Sequence, residues 1–362
     1  MTIDPAELVK HEPSPVHHQS TTMSHAIESP AAKRRRLHDG SPQKGISGEP
    51  KRCSTLWFAD GNVVVQVENT QFRVHRSVLS QHSDILADCF EMPQPEGEPT
   101  MEGCPLLYLP DVARDVEYVI STLYGESSIY DYEHCIPFAA TQAMIRLGGK
   151  YNFTKLQKEG LRRLQKEFSS AQDKWESHTF PSFFEETDTL LFDIVNFAVQ
   201  HSIQSILPPA LTLMCTKYTL SEITNGIEHT NTSRTRLSNE ALSLCLAGRY
   251  SLCMVVPTYI TRLIAANAGI VEHCLRRKVN QTCFPAFNQL LDDISCTGQP
   301  DPKAKIHQNQ WSDLADPDVL KDYMCPSCGS ALRDSYKRFR EESWSQVPSF
   351  FGFPSWDQLI DF

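Results

Sequence analysis

Two cysteines near the C-terminus have the spacing of a metal-binding pair. Cys325 and Cys328 are separated by two residues, and Gly329 follows them. Two thiolates at this spacing bind one face of a tetrahedral zinc ion, which then needs two further ligands. The nearest candidates lie at irregular spacings: His273, Cys274, Cys283, Cys296 and His307. Structural zinc, a redox dithiol and buried or idle cysteines are therefore all open. We expect the last of these, with neither a metal nor another cofactor.

Motifs that accompany catalysis are absent from the sequence. We find no phosphate-binding glycine loop, no HExxH metal motif and no GxSxG nucleophile elbow. His75 could serve as a general base, but neither a nucleophile motif nor a pair of carboxylates stands beside it in the sequence. We therefore expect a structural, hydrogen-bonding role for His75, in a protein that has no catalytic or cofactor-binding residues and is not an enzyme.

Residues 1–55 have the composition of a disordered tail. They contain no Phe, Tyr or Trp, so they offer little apolar surface to offset the entropy of ordering the chain. A basic cluster lies within them and consists of Lys33, Arg34, Arg35 and Arg36. Such a cluster is typical of a nuclear-import signal, although a solvated run of charges explains it equally well. Nucleus and cytoplasm therefore both stay open.

The clearest hydrophobic pattern covers residues 62–90. Val63, Val65 and Val67 fall on one side of an extended stretch, and the other side is polar except for Val64, which predicts a half-buried strand. A second alternating stretch over 71–75 completes a hairpin. Beyond it the apolar residues follow the spacing of a helix face, which predicts two short helices. Ser83 stands where its hydroxyl would cap the second helix.

Residues in this stretch resemble the signature of the BTB/POZ domain, in which a His precedes a basic residue and a Leu follows four positions after the His. The matching residues are Asp60, Phe72, His75, Arg76, Leu79 and Ser83. The resemblance implies an α+β fold in which a short β-sheet packs on a helical cluster. It also predicts a strand at 106–109, a helix capped by Asp111, and two further helices that end near residues 150 and 168.

The resemblance sets the predicted domain boundaries. We assign residues 56–170 to a BTB/POZ domain and residues 171–362 to a mostly α-helical C-terminal region. Short sequences at 205–208, 325–328 and 347–352 also resemble the extension that many BTB proteins of mushroom-forming fungi carry, so the chain is similar to that fungal type. No chemistry follows from that second resemblance.

Charge and hydropathy exclude several classes of partner. The net charge is −10 at pH 7, and residues 57–170 carry ten basic and sixteen acidic side chains, hence −6. Such a surface repels a phosphate backbone, so we expect no direct nucleic-acid binding. No apolar run approaches the roughly 20 residues of a membrane span, so we expect no membrane contact. The N-terminus has no signal-peptide core, which favours an intracellular protein with reduced thiols.

The function that the resemblance implies is protein–protein interaction. BTB/POZ domains commonly pair with themselves, and some present substrates to cullin-type ubiquitin ligases. We therefore expect protein partners, a homo-oligomer, and a cullin scaffold as one candidate partner. Four apolar residues should divide between core and interface: Val78, Leu79, Ile85 and Leu86. Two other interpretations stay open, a nuclear regulator that acts through recruited partners and a zinc-dependent module around Cys325 and Cys328.

Overall fold

A small mixed β-sheet begins the part of the chain that the structure describes. The computed structural model describes residues 49–93, 97, 99–125, 134–228, 233–266, 274–275, 283, 285–289, 321 and 324–362. The strands of the sheet are β1 (Lys51–Trp57), β2 (Val63–Val67), β3 (Thr70–Val74), β4 (Thr100–Met101) and β5 (Cys104–Tyr108). Across the sheet they follow the order β1-β3-β2-β5-β4.

The predicted hairpin lies at the centre of this sheet. β2 and β3 pair antiparallel with Val65 opposite Phe72, and β5 pairs with β2 in parallel. β1 pairs in parallel with β3 at the sheet edge and begins at Lys51, ahead of the predicted boundary at residue 56. The sequence did not predict β1, because most of its side chains are exposed and it therefore lacks the apolar pattern of a buried strand. Pairing with β3, which local sequence does not show, places it in the sheet.

Five helices follow in the described residues of this unit and pack around the sheet. They are α1 (Arg76–His82), α2 (Asp84–Glu91), α3 (Ala113–Leu123), α4 (Phe138–Lys150) and α5 (Thr154–Glu167). Leu79 and Leu86 enter the core at 3% and 4% exposure, whereas Ile85 is 47% exposed. Val78 is half-buried. The apolar residues of the two short helices thus divide between the core and the surface.

The side chain of Asp111 does not cap the helix that follows it. α3 begins after Val112, which makes no side-chain capping hydrogen bond. The Asp111 carboxylate instead accepts hydrogen bonds from Lys150 Nζ at 2.6 Å and from Tyr151 Oη at 2.5 Å. Burial and this carboxylate raise the pKa of Tyr151. The prediction of a cap was wrong because partners at the end of α4, distant in sequence, bind the carboxylate.

Close packing of α4 against α5 depends on two glycines. A Cβ at Gly148 would lie 2.7 Å from Cβ of Gln157, and a Cβ at Gly160 would lie 2.9 Å from Cγ1 of Ile145. Side chains at these positions would force the helices apart, so hydrogen in place of a methyl group permits the contact. α4 consequently packs against α3 and α5 at once.

The C-terminal region is mostly helical, as the sequence predicts. Its elements are α6 (Gln172–Ser177), α7 (Leu190–Gln200), α8 (Leu207–Lys217), α9 (Leu220–Asn225), the strand pair β6 (Ile227–Glu228) and β7 (Arg234–Thr235), α10 (Asn239–Ala266) and α11 (Pro326–Phe350). None of the helices in the described ranges has the length and apolarity that crossing a membrane requires.

A buried carboxylate joins this region to the end of α5. The Glu167 side chain is 0% exposed. Its oxygens accept hydrogen bonds from the backbone N–H groups of Ser182 at 3.1 Å and Phe183 at 2.8 Å, and one oxygen lies 2.8 Å from His178 Nε2. A buried carboxylate needs such partners, so the segment around residues 178–183 is held against the end of α5.

Aromatic side chains extend the same core into the C-terminal helices. The ring of Phe138 on α4 meets that of Phe197 on α7 edge-on, with centroids 5.7 Å apart. Farther along, Trp344 stacks between Trp175 at 5.8 Å and Trp356 at 5.3 Å, and its Nε1 donates to the carbonyl oxygen of Ser170 at 2.7 Å. One apolar cluster therefore extends from the sheet to the last helix.

Candidate interaction surface and cysteine cluster

His75 lies at the junction of β3 and α1 with protein groups at both ring nitrogens. Its Nδ1 lies 2.9 Å from Tyr124 Oη, and its Nε2 lies 3.3 Å from a carboxylate oxygen of Asp60. The ring of Tyr124 in turn stacks on Phe58 at 4.5 Å between centroids. Hydrogen bonds from the backbone of Asp60 and from His75 lower the pKa of the Asp60 carboxyl. This geometry gives both ring nitrogens partners within the protein and orients the strand-to-helix turn.

Ser83 connects the two short helices to the end of α4. Its Oγ accepts a hydrogen bond from the backbone N–H of Leu86 at 3.0 Å, which caps α2 as predicted. The same hydroxyl donates to the carbonyl oxygen of Tyr151 at 2.5 Å. At the start of α1, the backbone N–H of Arg76 donates to Asn62 Oδ1 at 2.8 Å. The guanidinium group of Arg76 lies over the ring of Phe90. The signature residues thus fix α1 and α2 on the sheet.

One side of α2 presents apolar groups to solvent. Ile85 and Cys89 are four residues apart, so they lie on one side of the helix, and Met92 follows as the C-cap just beyond its last residue. Ile85 is 47% exposed and Met92 is 57% exposed. We call these three residues the α2 outer stripe. Isolated exposed apolar residues are ordinary, but neighbouring ones on a short helix and its C-cap form an apolar patch that suits a helix-mediated contact.

The core beneath these helices offers no room for a substrate. An apolar cavity of about 20 Å³ lies there and is lined by side chains from β2, β5 and the helices, among them Val65, Leu107 and Val119. A space of this size holds no more than about one water molecule, and an apolar lining offers that water no hydrogen bonds.

Four cysteines come together around the start of α11. They are Cys274, Cys283, Cys325 and Cys328, all buried, and their sulfur atoms lie within 4.8 Å of one another. The Sγ atoms of Cys274 and Cys283 are 3.5 Å apart, and the backbone N–H of Cys325 donates to Cys283 Sγ at 3.3 Å. The pair that the sequence singled out therefore does have two further sulfur ligands beside it.

Local hydrogen bonds distribute charge unevenly among these sulfurs. Burial opposes ionisation of Cys325, but the backbone N–H groups of Cys328 and Leu275 and neighbouring thiols lower its pKa to about 6. Burial, followed by hydrogen bonds with the neighbouring thiols, raises the pKa of Cys328. Burial also raises the pKa of Cys283. The Cys325 sulfur at the N-terminus of α11 thus accepts hydrogen bonds from Cys328, Leu275 and Cys283. Cys283 Sγ in turn accepts from the Cys274 thiol and from the N–H of Cys325.

The structure tests the other predicted site residues only in part. His273, Cys296, His307 and the basic cluster Lys33, Arg34, Arg35 and Arg36 lie outside the described residues. Sequence reasoning did not single out Tyr124 or Asp111 as partners in the networks above. No local signal marks them, because each contacts groups that lie about 40 or more residues away in the chain.

The comparison with known families agrees with this architecture. The model of the BTB/POZ domain family matches residues 58–167. These residues therefore form a BTB/POZ domain, which is a protein–protein interaction module, and the mixed sheet with surrounding helices is its fold. A search of curated proteins finds no match to this chain, so no relative supports the fungal resemblance.

The dual role of Ser83 yields a stability prediction. In the Ser83→Ala variant the N–H of Leu86 loses its cap and the carbonyl of Tyr151 loses a donor, so the free energy of unfolding should fall by about 1–3 kcal/mol. Urea unfolding measures this change. Ser77→Ala, an exposed serine on α1, is the matched control and should alter stability by less than about 0.5 kcal/mol. Equal effects of the two variants would contradict the assigned role.

Proposed function

We propose that the BTB/POZ domain pairs with a second copy of the chain through the α2 outer stripe, and that the protein acts as an adaptor. The observation that carries the pairing is that Ile85 and Met92 are exposed to solvent, whereas the nearby Leu79 and Leu86 are buried in the core. A two-fold interface uses the same patch on both copies, so each exposed side chain counts twice. Full burial of a side chain such as Ile85 contributes about 1.5–3 kcal/mol.

The adaptor role has support in the shared core. Because Phe138 of the BTB/POZ domain contacts Phe197 of the helical region, and Trp344 bonds to the backbone of Ser170, a protein held by the C-terminal helices would stay at a fixed position relative to the domain. A fixed position is what presentation of a substrate to a ligase requires. The family resemblance supplies the candidate assembly, a cullin-type ubiquitin ligase.

A charge in the outer stripe should prevent self-association. In Ile85→Asp the dimer interface would bury an unpaired carboxylate, so the variant should elute as a monomer while the wild type remains a dimer. Light scattering coupled to size-exclusion chromatography at micromolar concentration gives the mass. The control is Leu220→Asp on α9, where the wild-type leucine is similarly exposed at 45%; this variant should remain dimeric. A monomeric wild type, or loss of the dimer in the control, would contradict the assigned interface.

Partner recovery tests the ligase role separately. The tagged full-length chain should bring down a cullin scaffold from its native cells, as measured by quantitative mass spectrometry against a tag-only sample. Leu220→Asp, outside the BTB/POZ domain, should recover the scaffold equally well. Reproducible partners without any cullin would remove the ligase assignment and leave the interaction module intact.

A nuclear role is the second candidate, and the basic cluster favours it. Conversion of Lys33, Arg34, Arg35 and Arg36 to alanine should move a fluorescently tagged chain from nucleus to cytoplasm, because import receptors bind such clusters through their positive charge. Lys155 and Lys158 on α5 are exposed, and their conversion to alanine controls for loss of charge alone. A wild-type chain that is confined to the cytoplasm would contradict the nuclear role.

A further inference from the structure

The four-cysteine cluster has the dimensions of a metal site. A tetrahedral zinc ion binds thiolates at roughly 2.3 Å, which places neighbouring sulfurs roughly 3.8 Å apart. The four Sγ atoms here lie within 4.8 Å of one another, and the measured pair of Cys274 and Cys283 is separated by 3.5 Å. Only small side-chain adjustments are needed to place one ion between all four sulfurs.

Disulfide bonding fits this geometry less well. A disulfide needs sulfurs about 2.05 Å apart, a distance that excludes a bond between Cys274 and Cys283 as they stand. No disulfide bond joins the cysteines of the described residues. Two disulfides could pair all four sulfurs, but they would not require each sulfur to lie within 4.8 Å of the other three.

The backbone around the cluster favours negatively charged sulfur. Cys325 is the N-cap of α11, and the N–H of Gly329 bonds to its carbonyl oxygen at 2.9 Å, which closes the first helical turn. The N-terminus of a helix stabilises thiolates. The N–H of Cys325 itself points at Cys283 Sγ at 3.3 Å. N–H donors of this kind compensate the charge of a metal-bound sulfur and orient it.

We propose that Cys274, Cys283, Cys325 and Cys328 bind one structural zinc ion. Four protein thiolates complete the tetrahedron and leave no open position for water, so the ion serves the fold and not a reaction. This inference goes beyond the adaptor function and does not depend on it.

The ion would fasten the start of α11 to a distant part of the chain. Cys283 and Cys325 are 42 residues apart, and closing a loop of that length costs entropy that a few weak contacts do not offset. At its other end α11 is already anchored by Val347 and Phe351, both buried. With the metal bound, the helix is held at both ends, and metal affinity becomes part of the stability of the region.

Metal content of the purified full-length protein tests the proposal. We expect one zinc ion per chain by plasma mass spectrometry, and a loss of most of it in Cys325→Ser and in Cys274→Ser. The control is the double variant Cys135→Ser with Cys253→Ser, which removes two exposed thiols and should retain a full complement of zinc. A metal-free wild type, iron in place of zinc, or equal zinc loss in the control would overturn the assignment.

A measurement on the wild-type chain guards against variants that merely misfold. Alkylation at neutral pH, followed by peptide mapping, should leave these four cysteines unmodified until a chelator removes the metal, and added zinc should restore their protection. Cys135 and Cys253 should react equally with and without chelator. Protection that is lost only on addition of a reductant would show disulfides in place of zinc and would also overturn the proposal.

Discussion

The close approach of α4 and α5 is the constraint on which the remaining architecture depends. Gly148 and Gly160 stand where any larger side chain would collide with the facing helix. With the helices in contact, α4 buries residues over most of its surface, including Ala140, Ala143 and Met144 at 0% exposure. A helix that is apolar on nearly every side needs neighbours on every side. The BTB/POZ domain supplies α3 and α5, and the C-terminal region supplies α7.

This arrangement explains why the BTB/POZ domain and the helical extension share one core. Phe138 at the start of α4 contacts Phe184 and Phe197, which both lie beyond the domain. Glu167 at the end of α5 accepts hydrogen bonds from the segment that follows. The side of the domain formed by α4 and α5 is therefore covered within the chain. The α2 outer stripe stays exposed and can meet another molecule.

The polar networks and the cysteine cluster differ in what they can still bind. In the first, Tyr124 and Asp60 lie at the two ring nitrogens of His75, so both nitrogens have partners within the fold. In the second, four sulfurs converge on one small volume and carry donors aimed at them from the backbone. Sulfur atoms gain little from one another as weak hydrogen-bonding partners, whereas they bind a soft metal ion strongly. Partners within the fold thus hold the ring of His75, whereas the proposed zinc site rests on the convergence of the four sulfurs.

The sequence by itself determined the features that follow from local periodicity. The alternation of valines set β2, the helical spacing after His75 set α1 and α2, and the position of Ser83 gave a cap that the structure contains. The signature residues around His75 identified the BTB/POZ fold, which the family match confirms. These signals are readable because each depends on residues only a few positions apart.

Only the tertiary structure decided which distant groups meet. In it the exposed strand β1 pairs with β3, and the Asp111 carboxylate accepts hydrogen bonds from Lys150 and Tyr151. Cys274 and Cys283 lie beside Cys325 and Cys328. The irregular spacing of those two cysteines carries no signal of their convergence. Their meeting depends on the path of the whole chain, which packing of long-range contacts selects and local propensity does not encode.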